Sequence, residues 1–147
     1  IQAGKVVQNI ADLSDIIPTI CEATGIELPS EIPFDGVGFL PTLKGETSPH
    51  REAIYMWYAR NGGTKAEIFT RNSEYKLYST GEFYHVEQDR LEKNDLSADK
   101  LSADIKAVKK MLQAKLDEFA KVEYLGETAE KGPPANKKNS KNKVTDK

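Results

Sequence analysis

Residues 101–119 carry a single apolar face at helical spacing. Leu101, Ile105, Val108, Leu112, Leu116 and Phe119 recur three and four positions apart, with lysines and acids between them. This pattern predicts a helix over 102–121. Helices of this kind gain most of their stability from tertiary packing, so the stripe must lie on an apolar surface elsewhere in the chain.

The preceding residues supply a candidate surface. Ala53-Ile-Tyr-Met-Trp-Tyr58 is aromatic and β-prone, and Asn61-Gly62-Gly63 has the positive-φ capacity of a hairpin turn. Lys65–Arg71 reads as the return strand. Tyr75–Tyr78 and Glu82–Val86 flank Thr80-Gly81 as a second tight hairpin. Four short antiparallel strands followed by one long helix give an α+β fold, a small four-stranded antiparallel sheet covered by a long C-terminal helix. Upstream, Asp12–Gly25 reads as a peripheral helix over 14–24, with Ser14 or Asp15 able to cap it. Ile16, Ile17, Ile20 and Ala23 share a face, and Gly25 takes the left-handed position after the last turn. Pro29, Pro33, Gly36, Gly38 and Pro41 make residues 26–49 an extended, irregular connection.

Composition narrows the function classes. No run approaches the roughly 20 apolar residues of a membrane helix, and no signal peptide is visible at Ile1–Lys5. A lone cysteine, Cys21, excludes an internal disulfide and a Cys-rich zinc site, and His50 and His85 are too scattered for a metal cage. Charge is uneven: residues 126–147 hold six lysines and three acids, net +3, leaving −5 on residues 1–125. The last stretch has almost nothing to bury and is expected to be a disordered basic tail. Its lysines lack the interleaved aromatics of single-strand nucleic-acid binding, so no nucleic acid is expected as a partner.

Catalytic equipment is scarce. Cys21 has no neighbouring cation in sequence to activate it and reads as a structural thiol. No serine sits in a Gly-x-Ser-x-Gly elbow. Asp35-Gly36-Val37-Gly38 matches neither a dinucleotide fingerprint nor a P-loop, and reads as a turn. Glu87, Asp89 and Glu92 lack the central glycine of a calcium loop and read as a solvated turn.

The order of these pieces resembles a known family. Asp15-Ile-Ile-Pro-Thr-Ile-Cys-Glu-Ala-Thr-Gly25 is similar to the D-L-x-P-T-x-x-x-x-A-G helix late in type I sulfatases. Phe34-Asp-Gly-Val-Gly-Phe-Leu-Pro-Thr-Leu-Lys-Gly45 resembles the D-G-x-S-x-x-P-x-L-x-G stretch that follows it. Arg51-Glu52 with the aromatic strand, then Tyr75-Lys-Leu77 and Phe83–Leu96, resemble the next elements, the latter Y-K-L … L-Y-D-L-x-x-D-P-x-E-x-x-N-L. Gly38, His85, Arg90 and Asp95 depart from the pattern, each at a loop or turn.

The resemblance covers about residues 1–120 and implies a C-terminal portion of an arylsulfatase-like enzyme of the alkaline phosphatase superfamily, a sulfuric ester hydrolase. Residues 1–49 would end the large domain, 50–125 would form the small antiparallel subdomain, and 126–147 the tail. The family nucleophile is a formylglycine made within Cys/Ser-x-Pro-x-Arg, beside a divalent cation, usually calcium. Neither that motif nor an Asp-Asn-Gly metal motif is in this chain. The segment is therefore expected to be inactive alone and to hold no cofactor, with the nucleophile and calcium in a missing N-terminal catalytic portion. Export or a periplasmic location follows from the family only. The implied substrate is a sulfated small molecule or glycan.

Trp57, Tyr58, Arg60 and Lys65 join an aromatic pair to two cations around a turn and would suit such an anion. Core packing for Trp57 and solvated hairpin charges are the competing reading. His50 is a further candidate. Two other functions remain open: the same region of a related phosphodiesterase or phosphatase, and a non-catalytic α+β module binding an anionic glycan.

Overall fold

The one-sided helix packs as its stripe demands. A computed structural model describes residues 3–46, 50–59 and 66–121. In it α3 (Ala103–Phe119) lies across a sheet of β1 (Ile54–Tyr58), β2 (Glu67–Arg71), β3 (Tyr75–Tyr78) and β4 (Phe83–His85). The strands run as an antiparallel meander in the order β1-β2-β3-β4. Thr70 faces Tyr55 on one side and Leu77 on the other, and Leu77 faces Phe83. These residues therefore share one sheet face, because strand side chains alternate.

That face and α3 form the core. Leu77, Phe83 and Leu112 are fully buried, joined by Ala53, Tyr75 and Leu116. Burying each large apolar side chain stabilises by about 1.5–3 kcal/mol. Tyr75 stacks on Phe83 with ring centroids 5.3 Å apart, and Tyr55 stacks on Phe119 at 4.5 Å. The buried Thr70 hydroxyl donates to the Leu112 carbonyl at 3.0 Å, a polar tie between sheet and helix. Ser102 caps α3, its hydroxyl accepting from Ile105 N–H.

Turn chemistry sets the register. Asn72 accepts from the N–H groups of Glu74 and Tyr75 between β2 and β3, and Gly81 takes a φ of 107° between β3 and β4. After β4, Asp95 accepts from the Phe83 and Ser97 N–H groups. Leu96 N–H donates to the Phe83 carbonyl, so this segment shields the sheet edge.

Upstream, a 3₁₀ turn (Leu13–Asp15) leads into α1 (Ile16–Thr24), ended by Gly25 at φ 71°. Asp15 occupies the N-cap position of α1 without a side-chain cap hydrogen bond of its own there, and Asp12 caps the 3₁₀ turn: its carboxylate accepts from Ser14 N–H, and Asp15 reciprocates to Asp12 N–H. Within the connection expected to be irregular, α2 (Leu40–Lys44) forms, with Pro41 in its first turn and Gly45 at φ 112° after its end. The Asn61-Gly62-Gly63 turn and the tail over 126–147 lie outside the described residues. No helix among the described residues is long and apolar enough to cross a membrane.

Candidate functional site

The capped turn delivers Asp15 to the centre of the N-terminal half, where it is completely buried. Its Oδ1 accepts from Val37 N–H at 2.8 Å and from the Arg51 guanidinium, while Oδ2 accepts from Asp12 N–H at 2.9 Å. His50 Nε2 lies 3.1 Å from Oδ2. A carboxylate only accepts, so the His50 ring donates from Nε2. Four donors thus saturate two oxygens.

Burial alone would push this carboxyl up. The Val37 and Asp12 N–H groups, then His50 and Arg51, outweigh burial and hold it below the usual carboxylate range. The arrangement ties three distant segments together: the base of α1, the loop at 35–39, and the residues leading into β1. Phe39 packs on His50 with ring centroids 5.6 Å apart, and Arg51 also reaches the Asp35 carbonyl at 3.4 Å. Gly36 permits the crossing, since a Cβ there would overlap the Ser14 carbonyl.

Beside this knot opens a cleft of about 590 Å³ between the loop and the end of α3. Asp12, Asp35, His50, Arg51, Lys115 and Glu118 line it, with the Tyr55–Phe119 stack. Its walls mix both signs of charge. Among the described residues, no group of three or more His, Cys, Asp or Glu is placed to hold a metal ion. The described residues thus offer no fit to the calcium of the resembled family, and no bond-breaking step follows from them.

A second polar network lies on the sheet face away from α3. Lys76 Nζ donates to Tyr78 Oη at 2.6 Å and to Glu92 Oε1 at 2.8 Å, and Tyr78 Oη donates to Glu92 Oε2 at 2.6 Å. The ammonium also sits 4.0 Å from the Phe69 ring centre. Burial and the Glu92 carboxylate push the Tyr78 phenol far above its usual range. Glu92 itself is held low: burial opposes, but Lys76 and Tyr78 prevail. Glu92 therefore departs from the solvated-turn reading, and it adopts a left-handed φ of 52° to reach its partners.

Of the residues picked from the sequence, His50 lines the cleft at one end of β1. Trp57 and Tyr58 sit at the other end, opposite Ile68 and Glu67, half-exposed and away from the cleft walls. The structure therefore does not bring His50 together with the aromatic pair. Arg60 and Lys65 lie outside the described residues. Sequence reasoning missed Asp15 and Arg51 as partners, because 36 positions separate them. The available signal was an acid opening an apolar helix and a basic pair opening a strand.

In fold the chain resembles a C-terminal portion of the sulfatases. A protein of Bacteroides thetaiotaomicron assigned as a sulfatase matches at 26% identity and a TM-score of 0.52, over 71% of this chain and 23% of its own. A second structure, solved with its substrate D-glucosamine-2-N,6-O-disulfate, matches at 26% identity and a TM-score of 0.54, over 73% of this chain and 23% of its own. The chain thus spans under a quarter of the length of these neighbours. No protein-family model matches it, and no curated protein does.

Proposed function

We propose that this chain serves as the C-terminal portion of a sulfatase that hydrolyses sulfate esters. It would contribute to the fold and to the wall of the substrate cleft, while the nucleophile lies elsewhere. The observation that carries this reading is the structural match to two neighbours over more than 70% of the chain at 26% identity, one of them holding a sulfated sugar as its substrate. The order of sequence motifs supports it independently. In the complete enzyme, formylglycine and calcium would supply the chemistry of the arylsulfatase type within the alkaline phosphatase superfamily, and a sulfated small molecule or glycan would be the substrate.

This chain's own residues would act by shape and charge. Asp15 holds Arg51 and His50 in place. Trp57, Tyr58, Arg60 and Lys65 are the proposed contacts to the alcohol part of the ester, where cations would favour an anionic substrate.

The test begins with the native polypeptide recovered from its source. Its intact mass should lie far above the 16.4 kDa of these 147 residues. Peptide mapping should find Cys/Ser-x-Pro-x-Arg upstream, and the enzyme should release sulfate from a sulfated glucosamine. In that enzyme Arg60→Ala should raise KM. A native mass near 16.4 kDa, or phosphate-ester hydrolysis without sulfate release, would overturn the reading.

A further inference from the structure

The cleft beside the Asp15 knot carries negative charge that the fold leaves unpaired. Of the basic side chains lining it, Arg51 is paired with Asp15 and Lys115 with Glu118. His50 gives its Nε2 proton to Asp15 as well. On the acidic side, Asp35 and Glu52 are exposed, and neither enters an ion pair among the described residues. Between these charges the lining is largely apolar, with Val37, Ala53, Met111 and the Tyr55–Phe119 stack. A lysine suits such a surface: its methylene stem lies on apolar area, its ammonium reaches a carboxylate, and an aromatic face adds cation–π attraction. Two atoms of the lining residues point to a peptide. Among the described residues, His50 Nδ1 and Arg51 Nε are buried without a hydrogen-bond partner, on side chains only 6% and 10% exposed. With Nε2 donating, Nδ1 is an acceptor, whereas Arg51 Nε–H is a donor. A peptide unit offers one N–H and one C=O, the complement of that pair.

Chain continuity says which peptide. Helix α3 ends at Phe119, itself part of the cleft lining, and the lysine-rich residues 126–147, net +3, follow it closely. Lys137, Lys138, Lys141 and Lys143 stand 18 to 24 positions beyond Phe119. A linker of that length has a root-mean-square span of about 20–30 Å, so these lysines meet the cleft at an effective concentration on the order of millimolar. We infer that the Lys137–Lys143 segment docks in this cleft, with its ammonium groups on Asp35 and Glu52 and its backbone on His50 and Arg51. The end of the chain then straps the loop at 35–39 to the end of α3. This contact is independent of the sulfatase reading, since it needs only the cleft and the segment that follows α3.

The experiment is zero-length carbodiimide coupling of the native polypeptide at about 1 μM, with amide links between lysines and carboxylates mapped by mass spectrometry. Glu27 and Asp99 serve as controls, because they are also exposed but line no part of the cleft. Links from the four lysines to Asp35 or Glu52, at least about tenfold more abundant than links to the controls, are the expected result. Comparable yields at all four acids mean that the segment has no preferred seat, and overturn the inference. Links that join isotopically distinct copies in a mixed sample give the cleft to a second copy and overturn it too. Tryptic cleavage after the same lysines provides a second readout. Asp35→Asn combined with Glu52→Gln alters two exposed side chains outside the Asp15 pairs and should speed that cleavage at least about fivefold. An unchanged rate overturns the docking. None of these outcomes bears on sulfate release, which remains the separate test of the sulfatase reading.

Discussion

Replacing Asp15 with asparagine tests whether one buried carboxylate holds the two halves together. The substitution preserves shape but removes the charge and turns one acceptor into a donor. That donor must face either Val37 N–H and Arg51 or Asp12 N–H and His50. Arg51 would remain with a side chain only 10% exposed and no countercharge. Breaking a buried pair from one side costs about 3–5 kcal/mol. We take about 3 kcal/mol, because Arg51 keeps a long contact to the Asp35 carbonyl. With a urea slope of about 1.5–2 kcal/mol/M, the unfolding midpoint should fall by about 1.5–2 M.

The assay is urea unfolding followed by circular dichroism at pH 7 and at lower pH. The folded Asp15 carboxyl is held low, so its contribution is present above the unfolded value of about 3.9 and is lost as pH falls through the folded value. The gap between wild type and Asp15→Asn should therefore narrow below about pH 4. A midpoint within about 0.3 M of wild type would refute the reasoning. So would a coupling of less than about 0.5 kcal/mol in a double-mutant cycle with Arg51→Met.

Leu112→Ala removes a fully buried side chain from between α3 and the sheet and should destabilise by about 2–5 kcal/mol in the same assay. Gly36→Ala should cost about 1–3 kcal/mol, more than Gly38→Ala, because its Cβ meets the Ser14 backbone whereas at Gly38 it meets the movable Glu22 carboxylate; the reverse order would contradict the packing described. Ultraviolet titration should find Tyr75, Tyr78 and Tyr84 ionising above the usual range, Tyr78 last. Because a raised folded value means stability present below about pH 10 and lost as pH rises through it, Tyr78→Phe should show a smaller alkaline loss of stability than wild type.

The sheet and its covering helix were legible because their signals are local. Alternating aromatics, Thr80-Gly81 and the stripe from Leu101 to Phe119 specify periods of about 2 and 3.6 without reference to anything distant. Boundaries shifted by one or two residues, as fraying ends do. The missed α2 is five residues long, and the prolines and glycines around it masked a proline-first, glycine-last helix signature. In the candidate site, His50 was picked from the sequence, yet its partners were not, since no period links position 15 to positions 50 and 51.

From the sequence alone came the fold class, the elements of the sheet, the long helix, the family resemblance and the absence of the family's nucleophile motif. Only the tertiary structure decided which way α1 faces. Its apolar arc was evident in Ile16, Ile17 and Ile20, and a helix read in isolation would bury that arc. Instead, the N–H groups of Val37 and Phe39 with the side chains of His50 and Arg51 draw Asp15 and Thr19 inward. Leaving those donors buried and unmet would cost free energy at each one. Hydrogen-bond satisfaction between segments far apart in sequence thus overrides the local hydrophobic pattern, and it turns the isoleucines outward.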